Sequence, residues 1–170
     1  MIKPILKVLY DEHQVILRVI EKLLKECKKP ILDPLFFEKS IDFIKNYADK
    51  LHHAKEENIL FNEFDKIACE SGLCNPVQQM LHEHDLGREF VKGMLTGLKE
   101  KNKSKIIENA QGYAQLLTEH IAKENDILYP MAEEAINEKT KNKMLARFGE
   151  VDSKKKKEIN KYLAFANNLK

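Results

Sequence analysis

Two stretches of this chain place histidine and glutamate four residues apart: His52 and Glu56 in HHAKEENILFN (52–62), His120 and Glu124 in HIAKENDILYP (120–130). Imidazole and carboxylate together suit iron, manganese or zinc. On a helix this spacing puts both groups on one face, about one turn apart. The stretches align without a gap, with six of eleven positions identical and Phe61 opposite Tyr129. Their shared polar residues are His52/His120, Lys55/Lys123 and Glu56/Glu124, whereas His53 becomes Ile121 and Glu57 becomes Asn125. A demand common to both copies therefore falls on the His-x-x-x-Glu pairs. His53, turned about 100° from His52 on an α-helix, is expected behind the donors or at the surface. Glu57 is expected to be solvated or paired with a lysine.

A weaker echo aligns YDEHQ (10–14) with LHEHD (81–85) and matches His13 to His84. The two alignments have offsets of 68 and 71 residues, so a helical hairpin is carried twice with a small difference in loop length. His82 and His84 lie about 200° apart on a helix, and the repeat selects His84 for the interior. His13 precedes Pro30 by 17 residues and His52 follows Pro34 by 18, so an antiparallel hairpin brings them level. His84 and His120 match in the same way across Lys101 and Ser104. Buried unpaired, these six groups would be very costly, and a metal pair removes that cost. Two shared glutamates can bridge two metals while two histidines cap each end, leaving one open position on each. Ile16, Leu17, Ile59, Leu60, Ile127 and Leu128 are expected to wall the site. Tyr113, seven residues before His120, lies on the same face, either packed or donating a hydrogen bond near the centre.

The elements that must position these residues read as helices, and no segment shows sustained strand alternation. A first helix spans about 5–27 and is broken by Pro30; Asp33-Pro34 caps and opens a second, which runs to Ser71-Gly72. Asn75-Pro76 opens a third to about Glu100, and Ser104 is expected to cap a fourth reaching about Ala135. Short connections between four long helices predict an all-α, up-down-up-down four-helix bundle over 1–136. Two shorter helical pieces, expected to split at Gly149 with Asp152-Ser153 as the new cap, form a C-terminal extension over 137–170 that packs on the bundle.

The composition agrees: 43% hydrophobic, 33% charged, six Gly, five Pro and no Trp in 170 residues. A net charge of +2 gives no ground for nucleic-acid binding. No apolar run approaches the ~20 residues of a membrane span, and the N-terminus lacks a secretory pattern. Three cysteines (Cys27, Cys69 and Cys74) make no disulfide framework, so a reducing cytoplasm is the default location. Lys154–Lys157 reads as the exposed part of a tail helix.

The set His13, His52-x-x-x-Glu56, His84, His120-x-x-x-Glu124, with the phrases HHAKEENILF, LHEHDLGREF and HIAKENDILYP, resembles the hemerythrin-like (HHE) cation-binding family over about 5–135. The resemblance implies a four-helix bundle with a non-haem, carboxylate-bridged di-iron centre, with an oxo or hydroxo bridge. It differs from the oxygen carriers, which use five histidines and two carboxylates, including a His-x-x-x-His pair on the third helix. Here Met80 stands four before His84, and Glu124 stands where the carriers have an Asp one residue further along. The four-His, two-Glu pattern is more similar to the repair-of-iron-centres branch, linked to nitric oxide and oxidative damage. Members of that branch often add an N-terminal cysteine-containing domain, which this chain does not show. Asn62 replaces the proline usual after Leu-Phe.

A ferritin-like centre needs Glu-x-x-His pairs, and none of the six histidines has a glutamate three residues before it. The zinc-protease pattern His-Glu-x-x-His is also missing. Three functions stay open on this reading: holding dioxygen or nitric oxide for storage or sensing, reducing nitric oxide or decomposing peroxide as an enzyme, and donating iron to damaged iron-sulfur centres. The expected partners are a small diatomic or peroxide ligand and a redox protein, without nucleic acid or membrane, on a monomer or homodimer.

Overall fold

The computed structural model describes residues 5–71 and 76–169, all helix and connections. Gly72 and Asn75, assigned above to the end of the second helix and the cap of the third, lie outside the described residues, as does Cys74.

Six helices are present among them: α1 (Lys7–Cys27), α2 (34–71), α3 (Val77–Glu100), α4 (103–135), α5 (Glu138–Lys154) and α6 (Lys156–Asn167). α1 to α4 form the antiparallel bundle, with α1 beside α2 and α4, and α3 beside α2 and α4. Asp33 caps α2 by accepting from Leu35 N at 3.0 Å, with Pro34 at the first helical position. The α4 cap is Asn102, accepting from Lys105 N at 3.0 Å, where Ser104 was expected. Lys101, at φ 54°, turns the chain so that Asn102 N reaches Gly97 O at 2.9 Å and closes α3. α3 and α4 then approach closely: a Cβ on Gly97 would lie 2.9 Å from the backbone nitrogen of Ile106. Gly97→Ala is expected to force the pair apart and cost about 1–3 kcal/mol, measured as a lower denaturant midpoint.

Asn137 caps α5 through Thr140 N at 3.0 Å. α5 runs straight through Gly149, and the break before α6 comes at Lys155 instead. Nothing lies within 4 Å of the Gly149 Cβ position, and Asp152 is drawn to Lys55 rather than to a cap.

The core is split by a polar layer. One apolar cluster gathers Ile16, Leu23, Phe43, Tyr47, Met94 and Ala110, to which α6 adds Tyr162. The other gathers Leu9, Leu60, Phe64, Met80 and Leu128, to which α5 adds Met144 and Phe148. Five of the six predicted donors fall between them along the chain, and His120 sits between Leu117 and Ile121 of the first. Among the described residues no helix is long and apolar enough to cross a membrane.

Candidate metal centre

α2 and α4 both widen at the site. Glu56–Leu60 and Glu124–Leu128 form matching turns with i→i+5 hydrogen bonding, and α2 has a longer wide segment at Ile44–His53 that α4 lacks. More residues per turn mean a smaller angle between successive side chains. His52 and His53 both face inward, buried at 1% and 5% exposure, as His120 and Ile121 are at the matching positions of α4, which corrects the placement of His53 away from the donors. Its ring stacks on His84 with centroids 3.8 Å apart.

Two groups of potential donors result, each with one atom per residue and all such atoms within 4.8 Å of one another. The first is His13, His52, Glu56 and Glu124; the second is His53, Glu56, His84 and His120. The structure thus brings together all six residues singled out by the repeat, and adds His53. Glu56 belongs to both groups, its Oε2 lying 3.6 Å from His52 Nε2 and 3.5 Å from His84 Nε2. Glu124 also spans the two sides, with Oε2 3.2 Å from His13 Nε2 and Oε1 3.2 Å from His120 Nε2.

Behind the rings stands a set of partners that the sequence reading missed. Nδ1 of His52 faces Glu12 Oε2 at 2.9 Å, and Nδ1 of His120 faces Glu83 Oε2 at 2.8 Å. Nδ1 of His84 faces Glu57 Oε1 at 2.8 Å, and Nδ1 of His13 faces Asn125 Oδ1 at 2.8 Å. Glu57 is therefore a partner of His84 and of Arg88, which is 2.7 Å away, rather than a solvated residue. The signal for Glu12 and Glu83 was present: each precedes its histidine in both copies, in DEH and HEH. Tyr129, opposite Phe61 in the repeat, is fully buried and donates its hydroxyl to Glu56 Oε1.

These partners decide what fits. Acceptors behind each ring hold the proton on Nδ1 and leave the Nε2 lone pair pointing inward. Among the described residues, His52 Nε2, Glu56 Oε2 and both oxygens of Glu124 are buried with no hydrogen-bond partner. His84 Nε2 and His120 Nε2 meet at 3.1 Å, with Glu57 and Glu83 each holding the other nitrogen. A buried convergence of acceptors is satisfied by cations, and nitrogen with oxygen donors is the set that iron, manganese and zinc take.

The family model of the hemerythrin HHE cation-binding domain matches residues 5–132. The chain belongs to this family. No curated protein and no solved structure matches it. Membership of the HHE family carries cation binding with it, and the donor groups just described are where this HHE domain can hold one. α5 and α6 lie beyond the matched residues.

The remaining expectations divide. His82 is exposed. Ile16, Ile59, Leu60 and Leu128 are buried as walls and Leu17 is half-buried, but Ile127 is 53% exposed, whereas Ile59 at the matching position of the repeat is covered in the apolar cluster that α5 joins. Tyr113 is buried and its hydroxyl has no hydrogen-bond partner among the described residues, so it does not reach the donors. It lines a cavity of about 300 Å³ that also touches His53, His84, Gly87, Val91 and Leu117, with Arg88 in its wall. Lys155 is half-buried, while Lys154, Lys156 and Lys157 are exposed.

Burial, and next the Glu124 carboxylate, push Glu56 well above the ordinary carboxylate value. Burial also acts to raise Glu124, but His120 and His13 hold it well below. Burial with His13 beside it lowers His52, and burial with His84 lowers His53. Burial opposes the charged form of His120 too, yet Glu124 and Glu83 raise it. The raised values of Glu56 and His120 both favour their proton-bound forms in the metal-free chain, and metal must displace those protons, so affinity rises with pH. Zinc(II) titration in buffers of different ionisation enthalpy is expected to show roughly one to two protons released per chain; a heat independent of buffer would contradict this.

Proposed function

We propose that this chain is a non-haem di-iron protein that binds and reacts with dioxygen, nitric oxide or peroxide. In this reading His13, His52, Glu56, His84, His120 and Glu124 hold the two ions, with His53 as a seventh donor. The observation that carries it is the pair of buried, acceptor-only groups sharing Glu56.

The iron pair supplies redox and Lewis-acid chemistry when bound. The chain's own residues set the conditions around it. Glu124 presents one oxygen to each histidine side, and Glu56 lies between His52 and His84. Three imidazoles serve one group and two the other, each group counting four residues with Glu56 in common, so the two sides differ in the type of donor. The Tyr129 hydroxyl, on Glu56 Oε1 and 3.4 Å from His13 Nε2, stands on the His13–His52 side. Leu60, Phe61 and Leu128 are buried, Phe61 stacked against His84 with ring centroids 6.0 Å apart, and the cavity touching His53 and His84 gives small molecules an approach.

The test is anaerobic stopped-flow spectroscopy of the iron-loaded, reduced protein against dioxygen, peroxide and nitric oxide. Rapid oxidation by peroxide or dioxygen, or release of nitrous oxide, is expected. A stable, reversible oxy adduct would replace reaction with carriage. Inertness to all three, with ready transfer of iron to an apo iron-sulfur protein, would favour the runner-up role of iron donation in repair.

A further inference from the structure

The repeat builds the same glutamate–histidine–lysine unit twice, yet only one copy is covered. Glu12 accepts from Lys55 Nζ at 2.6 Å while facing His52 at 2.9 Å; Glu83 accepts from Lys123 while facing His120 at 2.8 Å. The Lys123 side chain is 32% exposed and can complete its hydrogen bonds with water. The Lys55 side chain has 0% exposure, and an ammonium has three donors to satisfy. Its second anion is Asp152 Oδ1, 2.5 Å away, supplied by α5.

α5 and the turn after it touch the same stretch twice more. Arg147 Nη2 donates to Asn58 O at 2.9 Å, and Lys155 Nζ donates to Lys50 O at 2.5 Å. Wide turns break the ordinary i→i+4 ladder, and both carbonyls lie in the widened segments of α2 that carry His52, His53 and Glu56. Met144 and Phe148 anchor α5 in the apolar cluster with Ile59, Leu60 and Phe64. Among the described residues α4 carries the matching wide turn without such a clamp from α5; its Asn125 O accepts from Tyr10 at 3.2 Å.

We propose that α5 is a latch on the donor-bearing stretch of α2, with Asp152 the positioning residue that acts through Lys55 and Glu12 to hold the His52 ring with Nε2 inward. The Asp152–Lys55–Glu12 link then ties metal retention on the His13–His52 side to a C-terminal helix outside the family match, whereas the matching Lys123–Glu83 link to His120 needs nothing from α5. The inference rests on the reading of the site as a metal centre. Without Asp152, a buried ammonium loses one of its two anions, Lys55 turns toward water, and Glu12 no longer fixes the imidazole. Partners of this kind change metal affinity by about 10–100-fold.

The test is Asp152→Asn in the full chain, a near-isosteric change that keeps α5 helical. Loss of ferrous iron to a chromogenic chelator is followed alongside acylation of Lys55 in the metal-free protein, mapped by peptide mass spectrometry. The expected result is release of one of the two ions about tenfold faster or more, the other unchanged, with Lys55 protected in the parent and labelled in the variant. Unchanged release, or equal acceleration of both ions, overturns the one-sided latch. Lys55 labelled equally in parent and variant overturns the coupling through Asp152. A parent chain that takes up no metal overturns the metal-centre reading, and Lys55 labelling then decides on the latch by itself.

Discussion

Replacing Glu56 with glutamine is expected to strip the chain of nearly all bound metal, from about two ions to fewer than half an ion per chain. Glu56 is the residue common to both donor groups, with Oε2 between His52 and His84. Glutamine keeps the shape but removes the charge that offsets two cations, and its amide nitrogen would meet ring nitrogens already fixed as acceptors. His13→Ala touches only the first group and should leave about one ion, which separates loss of a shared donor from general damage. Folding is a second control. In the metal-free chain Glu56 is buried beside Glu124 and favours its neutral form, so a neutral amide of the same shape should not lower the metal-free melting temperature. The difference appears on loading, where the parent gains stability by binding to its native state and the variant does not. Metal content by elemental analysis, with melting curves before and after loading, decides it. A Glu56→Gln protein that retains both ions would refute the shared-donor role.

Much of this centre was legible because it is written twice. The two His-x-x-x-Glu stretches and the DEH/HEH echo locate both hairpins, and loop-to-histidine distances place four rings in one layer. That arithmetic works because helix rise is nearly uniform, and small errors in where each helix ends cancel within an antiparallel pair. Asp33 was legible as a cap for a local reason, being followed by a proline whose fixed φ starts the helix. What was lost depends on features outside local spacing. Ile127 and His53 were assigned from helical spacing, but tertiary packing decides both: His53 stacks on His84, and α5 covers Ile59 while its counterpart Ile127 stays exposed. Glu57 and Asn125 differ in type yet do the same thing, each taking Nδ1 of a histidine from the other hairpin. A test for identity between repeats discards such a pair, although hydrogen-bond acceptance is all the position requires. Asp152 reads as a cap by composition, and only the tertiary packing of α5 shows that its charge is used by Lys55.

His53→Ala is the change that separates the two descriptions of the centre most sharply. If His53 merely supports a four-histidine site, its loss should alter metal affinity little. The geometry makes it the third imidazole of the His84–His120 group, so its removal should weaken metal on that side by more than the roughly 10–100-fold typical of residues behind a donor. Two observations favour the larger effect. The ring is nearly enclosed and stacked on His84, a place where a polar side chain without a ligand is costly. Its Nδ1 lies 3.5 Å from Asp49, which Arg88 holds at 2.7 Å, so an anion stands behind this ring too. The other half offers a natural comparison, since Ile121 occupies the matching position and that hairpin serves the centre with one histidine on its second helix. His53→Ala should thus leave two sides of two histidines each, with two similar binding constants in place of a tight and a weaker one. Stepwise cobalt(II) titration followed by visible absorption resolves the sides, and the exposed His82→Ala should titrate like the parent. An unchanged first binding constant in His53→Ala would return the centre to four histidines and make the stacked ring a packing residue.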